Sequence, residues 1–391
     1  MEFKFNPQED SFRQELRQFI QDELPADWEG GGRWPEESNW ELTRQMRRKL
    51  AQRGWLTMHW PREYGGQDAS PVLSAIYNEE LAYLRAPGRD IFGVRMLGPT
   101  LMIHGSEEQK RTYLPPIAQG EIQWCQGFSE PEAGSDLASL NTRAVRDGDD
   151  YVINGSKIWT TLGHRADAIF LLARTDPEAP KHRGISFILV DLKTPGIQVR
   201  PIINMAEGHE FNQVIFDNVR VPRRNLVGEE NRGWYVAVTL LDFERSGIDY
   251  SAIGRRLLDE VFQYARETQR HGQPLLQTPW IRHVLADRYI ECEVARLMAY
   301  NVAHMQEQGQ VPNKEASMSK VFGSETLHRV AATCMEVLGM YGALGRGEQW
   351  APLKGRVQEH WMISFSHKIA AGTSEVQRNI IAGRGLGLPR G

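Results

Sequence analysis

Cysteine is scarce in this sequence, with three residues among 391, and the formal net charge is only −4. Cys125, Cys292 and Cys334 are far apart and form no C-x-x-C pair, so neither a disulfide framework nor a metal site is expected. The 46 basic and 50 acidic residues nearly balance, which leaves no overall field to attract nucleic acid or an anionic membrane. We therefore expect reduced cysteines in the core, and any anion site must be local.

Long apolar runs are also missing from the chain. No stretch of 18 uninterrupted apolar residues occurs, and the amino-terminal MEFKFNPQED lacks a basic segment followed by an apolar one. We expect a soluble cytoplasmic protein without a membrane segment. A hydrophobic content of 41% over this length is enough for two or three packed domains.

The spacing of apolar residues changes twice along the chain. It recurs at three and four residues in FRQELRQFIQDEL and ELTRQMRRKLAQRGW, which predicts helices in the first third, and Pro115 and Pro116 are expected to end the last of them. Short β-branched runs such as GISFILVDL and FNQVIFDNVRVP predict strands over about 124–227. Helical spacing then returns near 231–270, 279–307, 313–338 and 373–385. This order predicts three contiguous domains, 1–123, 124–230 and 231–391.

Two segments of the strand-rich part combine hydroxyl groups with aromatic residues. QGFSEPEAGSDLASL places Ser129 and Ser135 around a Pro-Glu-Ala-Gly turn, and NGSKIWTTLGH places Trp159 beside Thr160 and Thr161. A flat cofactor such as an isoalloxazine ring needs an apolar wall for its face and hydrogen bonds at its edge. Serine-rich turns and a tryptophan in a strand are common in any β domain, so these segments alone leave a structural role open.

Together with the carboxyl-terminal segment, these motifs resemble the acyl-CoA dehydrogenase family over essentially the whole chain. The resemblance lies in six blocks in the same order: GSEEQKRTYLPPIAQGE, FSEPEAGSD, YVINGSKIWTT, FDNVRVPRRNLVG, LDFERSGI and AAGTSEVQRNIIAGRGLGLPR. It implies an N-terminal all-α domain, a middle β-barrel-like domain and a C-terminal four-helix bundle. It also implies FAD as cofactor, an acyl-CoA substrate, electron-transfer flavoprotein as electron acceptor, and a homotetramer or a heterotetramer with a related chain.

The resemblance implies roles for individual residues. The positions that contact the flavin ring correspond to Phe128, Ser129, Ser135, Trp159 and Thr161. The Thr161 hydroxyl would face flavin N5, and Ser135 would also contact the substrate. In an extended segment, Thr160 would point to the opposite side. Thr373 and Glu375 match positions at which the family's closing motif meets the FAD nucleotide.

The chain departs from the family pattern at the positions that bind the FAD pyrophosphate. Thr268 stands where the family often has the arginine of Arg-x-x-Phe-Gly, which leaves Arg266 and Arg270 as candidates. In the loop EVLGMYG, Glu336 replaces the usual glutamine, and methionine replaces the glycine that would follow Gly339. We expect Glu336, Gly339 and one of the two arginines at the cofactor.

The resemblance also directs the search for the catalytic base. In much of the family a glutamate precedes the Gly-Thr of the closing motif, but here that position is Ala371, whose methyl group cannot accept a proton. A minority of members carry the glutamate on a bundle helix, at the fourth position of LDFER, which is Glu244 here. A continuous helix would place Glu244 on one face with Leu240, Leu241 and Ile248, where desolvation makes a carboxylate a better base.

Three alternatives remain open from the sequence. Glu244 could instead form a buried ion pair with Arg245, a residue that we otherwise expect to contact the substrate. The loss of the glutamate before Gly372 also permits a flavin-dependent monooxygenase or oxidase on the same fold. Finally, the chain could be the partner subunit of a heterotetramer in which only one type of chain carries the base.

Overall fold

The computed structural model describes residues 4–30, 39–243 and 247–389, and the chain divides into two compact units. The helical unit is assembled from Met1–Ser38, Ala69–Pro87 and Arg245–Gly391. The strand unit is assembled from Asn39–Asp68 and Gly88–Glu244. Each unit thus combines stretches that are distant in sequence.

The strands predicted over 124–227 lie in the strand unit. They are β1 (Trp124–Gly127), β2 (Arg143–Asp147), β3 (Asp150–Lys157), β4 (Ala168–Arg174), β5 (Ile185–Asp191), β6 (Ile197–Ile202), β7 (Phe211–Pro222) and β8 (Leu226–Val227). They form one sheet in the order β6-β7-β3-β2-β4-β5-β8, with β1 parallel to β4. The central strands β4 and β5 are buried along nearly their whole length, which matches their continuous apolar sequences.

The helices are α1 (Pro7–Glu23), α2 (Trp40–Gln52), α3 (Pro71–Tyr83), α4 (Gly98–His104), α5 (Glu107–Ala118), α6 (Gly233–Phe243), α7 (Ile248–Glu267), α8 (Pro279–Glu307), α9 (Asn313–Leu338), α10 (Arg356–His367) and α11 (Ser374–Ile380). A two-stranded hairpin of β9 (Gln269–Arg270) and β10 (Gln273–Pro274) follows α7. Helices α7, α8, α9 and α10 supply the core of the helical unit, in which α9 packs against the other three. No helix within the described ranges is long and apolar enough to cross a bilayer.

Two expectations about helix boundaries were wrong. Pro115 and Pro116 do not end their helix, because α5 continues to Ala118 and the carbonyl of Pro115 still accepts a hydrogen bond from the Gln119 N–H at 3.0 Å. A proline lacks a donor but keeps its acceptor, so the last helical turn can include it. The helical run near 231–270 is also divided, since Gly247 has a φ of 70° and separates α6 from α7.

The cysteines agree with the sequence expectation. Cys125, Cys292 and Cys334 are free and buried, and burial raises the pKa of each thiol above its usual value. Cys125 lies in the core of the strand unit, whereas Cys292 and Cys334 lie in the core of the helical unit. A buried thiol with a raised pKa is inert, so these residues contribute packing.

Candidate functional site

The first predicted flavin segment directly follows strand β1. Phe128 is buried and makes edge contacts with Phe170 and Phe187, with ring centroids 5.8 Å and 6.1 Å apart. The half-buried Ser129 accepts a hydrogen bond at its carbonyl from the Ile158 N–H at 2.9 Å. This bond joins the first segment to the second.

The second predicted flavin segment begins where β3 ends, and it is not extended as expected. Trp159 has a φ of 60° and Leu162 a φ of 56°, both in the left-handed region that residues with side chains rarely adopt. Trp159 is 56% exposed and packs edge-on against Phe211 at 5.9 Å. Thr160 is buried, whereas Thr161 is half-buried, so the two hydroxyls still lie in different environments.

A buried ion pair that sequence reasoning missed connects the two segments. The Lys157 Nζ lies 2.7 Å from Glu130 Oε1 and donates to the Phe128 carbonyl at 3.0 Å, and Glu130 also accepts from the backbone N–H groups of Asn141 and Thr142. Burial lowers the pKa of Lys157 to about 8 although Glu130 opposes the change. Burial alone would raise the pKa of Glu130, but Lys157 and the other donors outweigh it and lower that pKa. Nothing in the spacing of SEPEAGSD and NGSKIW indicates that these two residues pair.

Strand β7 fixes the second segment from another side. The backbone N–H of Thr160 donates to the Asn212 carbonyl at 2.9 Å, and the Asn212 side-chain amide donates to the Thr160 carbonyl at 3.0 Å. The same amide lies 3.1 Å from Nδ1 of His164, whose ring stacks on that of His209 with centroids 4.0 Å apart. The N–H and the carbonyl of Thr160 are therefore both paired.

The remaining residue predicted in the strand unit, Ser135, lies in the first segment just after its turn. Glu130 and Ala133 exchange backbone hydrogen bonds, which closes the Pro-Glu-Ala-Gly turn predicted from the sequence. Ser135 follows this turn and is exposed. Its hydroxyl is thus available to a ligand.

In the helical unit, the closing motif forms the cap of helix α11. The Thr373 hydroxyl accepts a hydrogen bond from the Val376 N–H at 3.2 Å. Hydrogen bonds from its own backbone N–H and from Thr373 lower the pKa of the exposed Glu375. Lys320, on α9, donates to the Gly372 carbonyl at 2.7 Å and brings a cation next to the motif.

Ala371, at the family's usual position for the base, has a φ of 55°, and its carbonyl accepts from Gln377 Nε2 at 3.0 Å. The predicted base Glu244 and the predicted substrate contact Arg245 lie outside the described residues. Gly247 has a left-handed φ, so the continuous helix through Ile248 that the sequence predicts is interrupted at this glycine.

The two arginines predicted at the FAD pyrophosphate lie in different places: Arg270 is beside Gly339, and Arg266 is at the end of a helix. A β-carbon placed on Gly339 would lie 3.5 Å from the Arg270 guanidinium, so the β9–β10 hairpin brings Arg270 next to this loop. The exposed Glu336 accepts a hydrogen bond at its carbonyl from the Gly339 N–H. Arg266 is exposed in the last turn of α7.

The helical unit also contains a pocket of about 310 Å³. Tyr83 and Asp259 line it, and they already pair with each other, since the Tyr83 hydroxyl donates to Asp259 at 2.8 Å. None of the predicted site residues contributes to its lining.

The residues present fit the chemistry of FAD. Trp159 exposes more than half of a large aromatic surface in a segment held in place by hydrogen bonds, and a flat ring would cover such a surface favourably. The accessible hydroxyls of Ser135 and Thr161 suit the polar edge of that ring. In the helical unit, the exposed Arg270 beside Gly339 offers a cation that suits a pyrophosphate.

Comparison with protein families matches three consecutive parts of the chain. Residues 6–121 match the acyl-CoA dehydrogenase N-terminal domain, residues 125–219 the middle domain and residues 231–386 the C-terminal domain. The chain belongs to the acyl-CoA dehydrogenase family. The fold implied by the sequence resemblance is confirmed, and the protein is an oxidoreductase of the acyl-CoA dehydrogenase type.

Known relatives resemble the chain over its full length. Acyl-CoA dehydrogenase FadE26 of Mycobacterium tuberculosis is 37% identical, over 100% of this chain and 99% of the relative. A chain of the ChsE4-ChsE5 complex of the same organism is 37% identical with a TM-score of 0.91, and a chain of the Tcur3481-Tcur3483 steroid ACAD is 36% identical with a TM-score of 0.90. Both matches cover 100% of this chain and 100% of the other.

Proposed function

We propose that this protein catalyses the FAD-dependent α,β-dehydrogenation of an acyl-CoA thioester to a trans-2-enoyl-CoA and passes the electrons to electron-transfer flavoprotein. The observation that carries the proposal is that a chain matching all three domains of the family retains both flavin segments. The closing motif of this chain has Ala371 at the family's usual position for the base, and the chain instead has a carboxylate, Glu244, in LDFER.

The reaction breaks one C–H bond at each of two neighbouring carbons and forms a C=C bond. Glu244 accepts the proton from the α-carbon, because the methyl group of Ala371 cannot. FAD, when bound, supplies the acceptor for the hydride that leaves the β-carbon. Trp159 presents aromatic surface to the ring, and the hydroxyls of Ser129, Ser135 and Thr161 orient its polar edge. The buried Phe128 supports the first segment by packing against Phe170 and Phe187.

Residues of the helical unit are assigned to the nucleotide part of the cofactor. Arg270 is the proposed pyrophosphate contact, because it lies beside Gly339, which directly follows helix α9 and its residue Glu336. Thr373 and Glu375 occupy the closing motif next to Lys320. Arg245, directly after the base, is assigned to the substrate.

We further propose that the acyl group carries a bulky ring system of the steroid type. The support is the similarity over the full chain to a steroid ACAD. Anaerobic bleaching of the flavin by straight, branched, aromatic and steroid-derived acyl-CoAs tests both levels of the proposal. Bleaching by a straight-chain thioester alone would contradict the ring-bearing substrate, and failure of every thioester would contradict the dehydrogenation itself.

A second candidate is a role as one of two different chains in an assembly. It is favoured by the two solved structures above, each of which is named after two components. Expression of this chain alone distinguishes the candidates. A protein that binds one FAD per chain and is bleached by an acyl-CoA is self-sufficient, whereas FAD binding that requires a related chain indicates an obligate partner.

A further inference from the structure

The ion pair between Lys157 and Glu130 is almost completely buried, and a gain in stability alone does not account for a pair in such a position. The Lys157 side chain is 0% exposed and that of Glu130 is 7% exposed. Removing two charges from water costs about as much as their attraction returns, and apolar replacements of buried ion pairs often leave a protein equally stable. A buried pair of this kind is better accounted for when it selects one arrangement of the chain.

The pair fastens together the two segments assigned to the flavin ring. The Lys157 ammonium donates to Glu130 and to the Phe128 carbonyl, and the next residue, Ile158, donates from its backbone to the Ser129 carbonyl. Glu130 is itself anchored, because its two carboxylate oxygens accept the backbone N–H groups that follow Leu140. Three hydrogen bonds from two consecutive residues thus fix the start of one segment against the other.

The segment that begins after Lys157 has a backbone that needs such support. Trp159 and Leu162 adopt left-handed conformations, which persist only where the surroundings hold them. Asn212 holds Thr160 between them through two hydrogen bonds. The ion pair holds the end that enters from β3.

We propose that the Lys157–Glu130 pair is a positioning device that sets the separation and orientation of Phe128–Ser129 and Trp159–Thr161, and thereby the fit of the flavin ring to both. The proposal rests on the proposed function, in which FAD contacts these segments. Neither Lys157 nor Glu130 touches the reacting atoms, and both act through the residues beside them.

The double variant Lys157→Met/Glu130→Gln removes both charges without leaving either buried alone. We expect hydrogen exchange of the Ile158 amide, measured in FAD-free protein, to become at least about tenfold faster, because its bond to Ser129 opens more often. We expect the Kd for FAD to rise at least about tenfold and the visible circular dichroism of the bound flavin to change. The control Ile153→Val, on the same strand, loosens the core but keeps the pair, so its exchange at Ile158 and its flavin signals should match the wild type.

The outcomes separate this proposal from the proposed function. Wild-type exchange, FAD affinity and flavin dichroism in the double variant would overturn the positioning role, as would an equal loss in Ile153→Val. If the wild type binds no FAD, the proposed function fails, and exchange in FAD-free protein still decides whether the pair holds the segment. If the double variant does not fold, Glu130→Asp decides, because it keeps the charge and shortens the reach; unchanged flavin dichroism and FAD affinity would then overturn the proposal.

Discussion

A side chain that removes a proton from carbon must be unprotonated and close to its substrate, and Glu244 is the residue assigned to that step. Glu244→Gln keeps the size of the side chain and removes its basic oxygen. We expect this variant to bind FAD normally and to slow anaerobic flavin reduction about 10²–10⁴-fold. Stopped-flow absorbance at the flavin band measures the rate.

Two further variants control for this result. Glu267→Gln changes an exposed carboxylate at the end of α7 and should reduce its flavin at the wild-type rate. Ala371→Glu, added to Glu244→Gln, places a carboxylate before Gly372 and should restore part of the activity. A Glu244→Gln variant that keeps most of the wild-type rate would show that the base is another residue.

The neighbouring hydroxyls of Thr160 and Thr161 test the assignment at flavin N5. Thr161→Ala removes a hydrogen bond worth about 0.5–1.5 kcal/mol, so flavin reduction should slow about 3- to 10-fold while FAD affinity changes little. Thr160→Ala should be nearly silent, because Thr160 is only 1% exposed, whereas Thr161 is half-buried. Stopped-flow absorbance measures the rate of flavin reduction in both variants. A slower rate in Thr160→Ala than in Thr161→Ala would place the Thr160 hydroxyl at the flavin.

Between elements, the end of helix α3 is tied to α7 and α10 by a buried charge cluster. Glu260, on α7, lies 2.8 Å from Arg85, 2.9 Å from Arg256 and 3.3 Å from Arg356. Burial alone would raise the pKa of Glu260, but Arg85 and then the other two guanidinium groups outweigh it and lower the pKa to about 2. A carboxylate whose pKa falls on folding stabilises the protein above its unfolded pKa near 4.5, by about 3 kcal/mol, and loses that contribution as the pH falls towards 2.

Glu260→Gln therefore has an effect on stability that depends on pH. At pH 7 its unfolding midpoint in denaturant should lie well below that of the wild type, because the variant leaves the buried Arg85 without its carboxylate. Between pH 4.5 and pH 2 the gap should narrow, since the wild type loses the same charge. Glu107→Gln, in an exposed pair with Lys110, should show almost no gap at any pH. A gap for Glu260→Gln that stays constant to pH 2 would contradict the lowered pKa.

Individual elements could be predicted from the sequence where the signal is local. The strands between Trp124 and Val227 and the helix ending at Leu338 follow directly from the period of the apolar residues. The break at Gly247 could not be predicted, because any residue that keeps the period is compatible with a continuous helix. The Lys157–Glu130 pair could not be predicted either, since its members lie 27 residues apart and only the folded sheet brings them together.

At the scale of the whole molecule, sequence order and spatial order differ. Periodicity predicts contiguous domains because it carries no information about which segments pack together. In the structure, α3 belongs with helices that follow residue 245, whereas α2 belongs with the sheet. Packing between segments that are distant in sequence decides such membership.

The exposed surface of helix α8 indicates how the whole molecule assembles with other chains. Ile290, Val294 and Leu297 recur at helical spacing and are 63%, 40% and 37% exposed, which forms an apolar stripe on this helix. A row of exposed apolar side chains along one helix face favours burial against another chain. We expect the stripe to contact a second copy or a related chain.

We therefore expect the FAD-bound protein to be a tetramer built from dimers. A cofactor that binds only the assembled state stabilises it by mass action, so added FAD should raise both the melting temperature and the proportion of tetramer. Light scattering after size-exclusion chromatography measures the mass with and without FAD. Val294→Lys should shift the protein to smaller species, because it places a charge in the stripe, whereas Val311→Lys, at a 75% exposed position outside α8, should not. A monomeric FAD-bound wild type at micromolar concentration would contradict the assembly and its link to the cofactor.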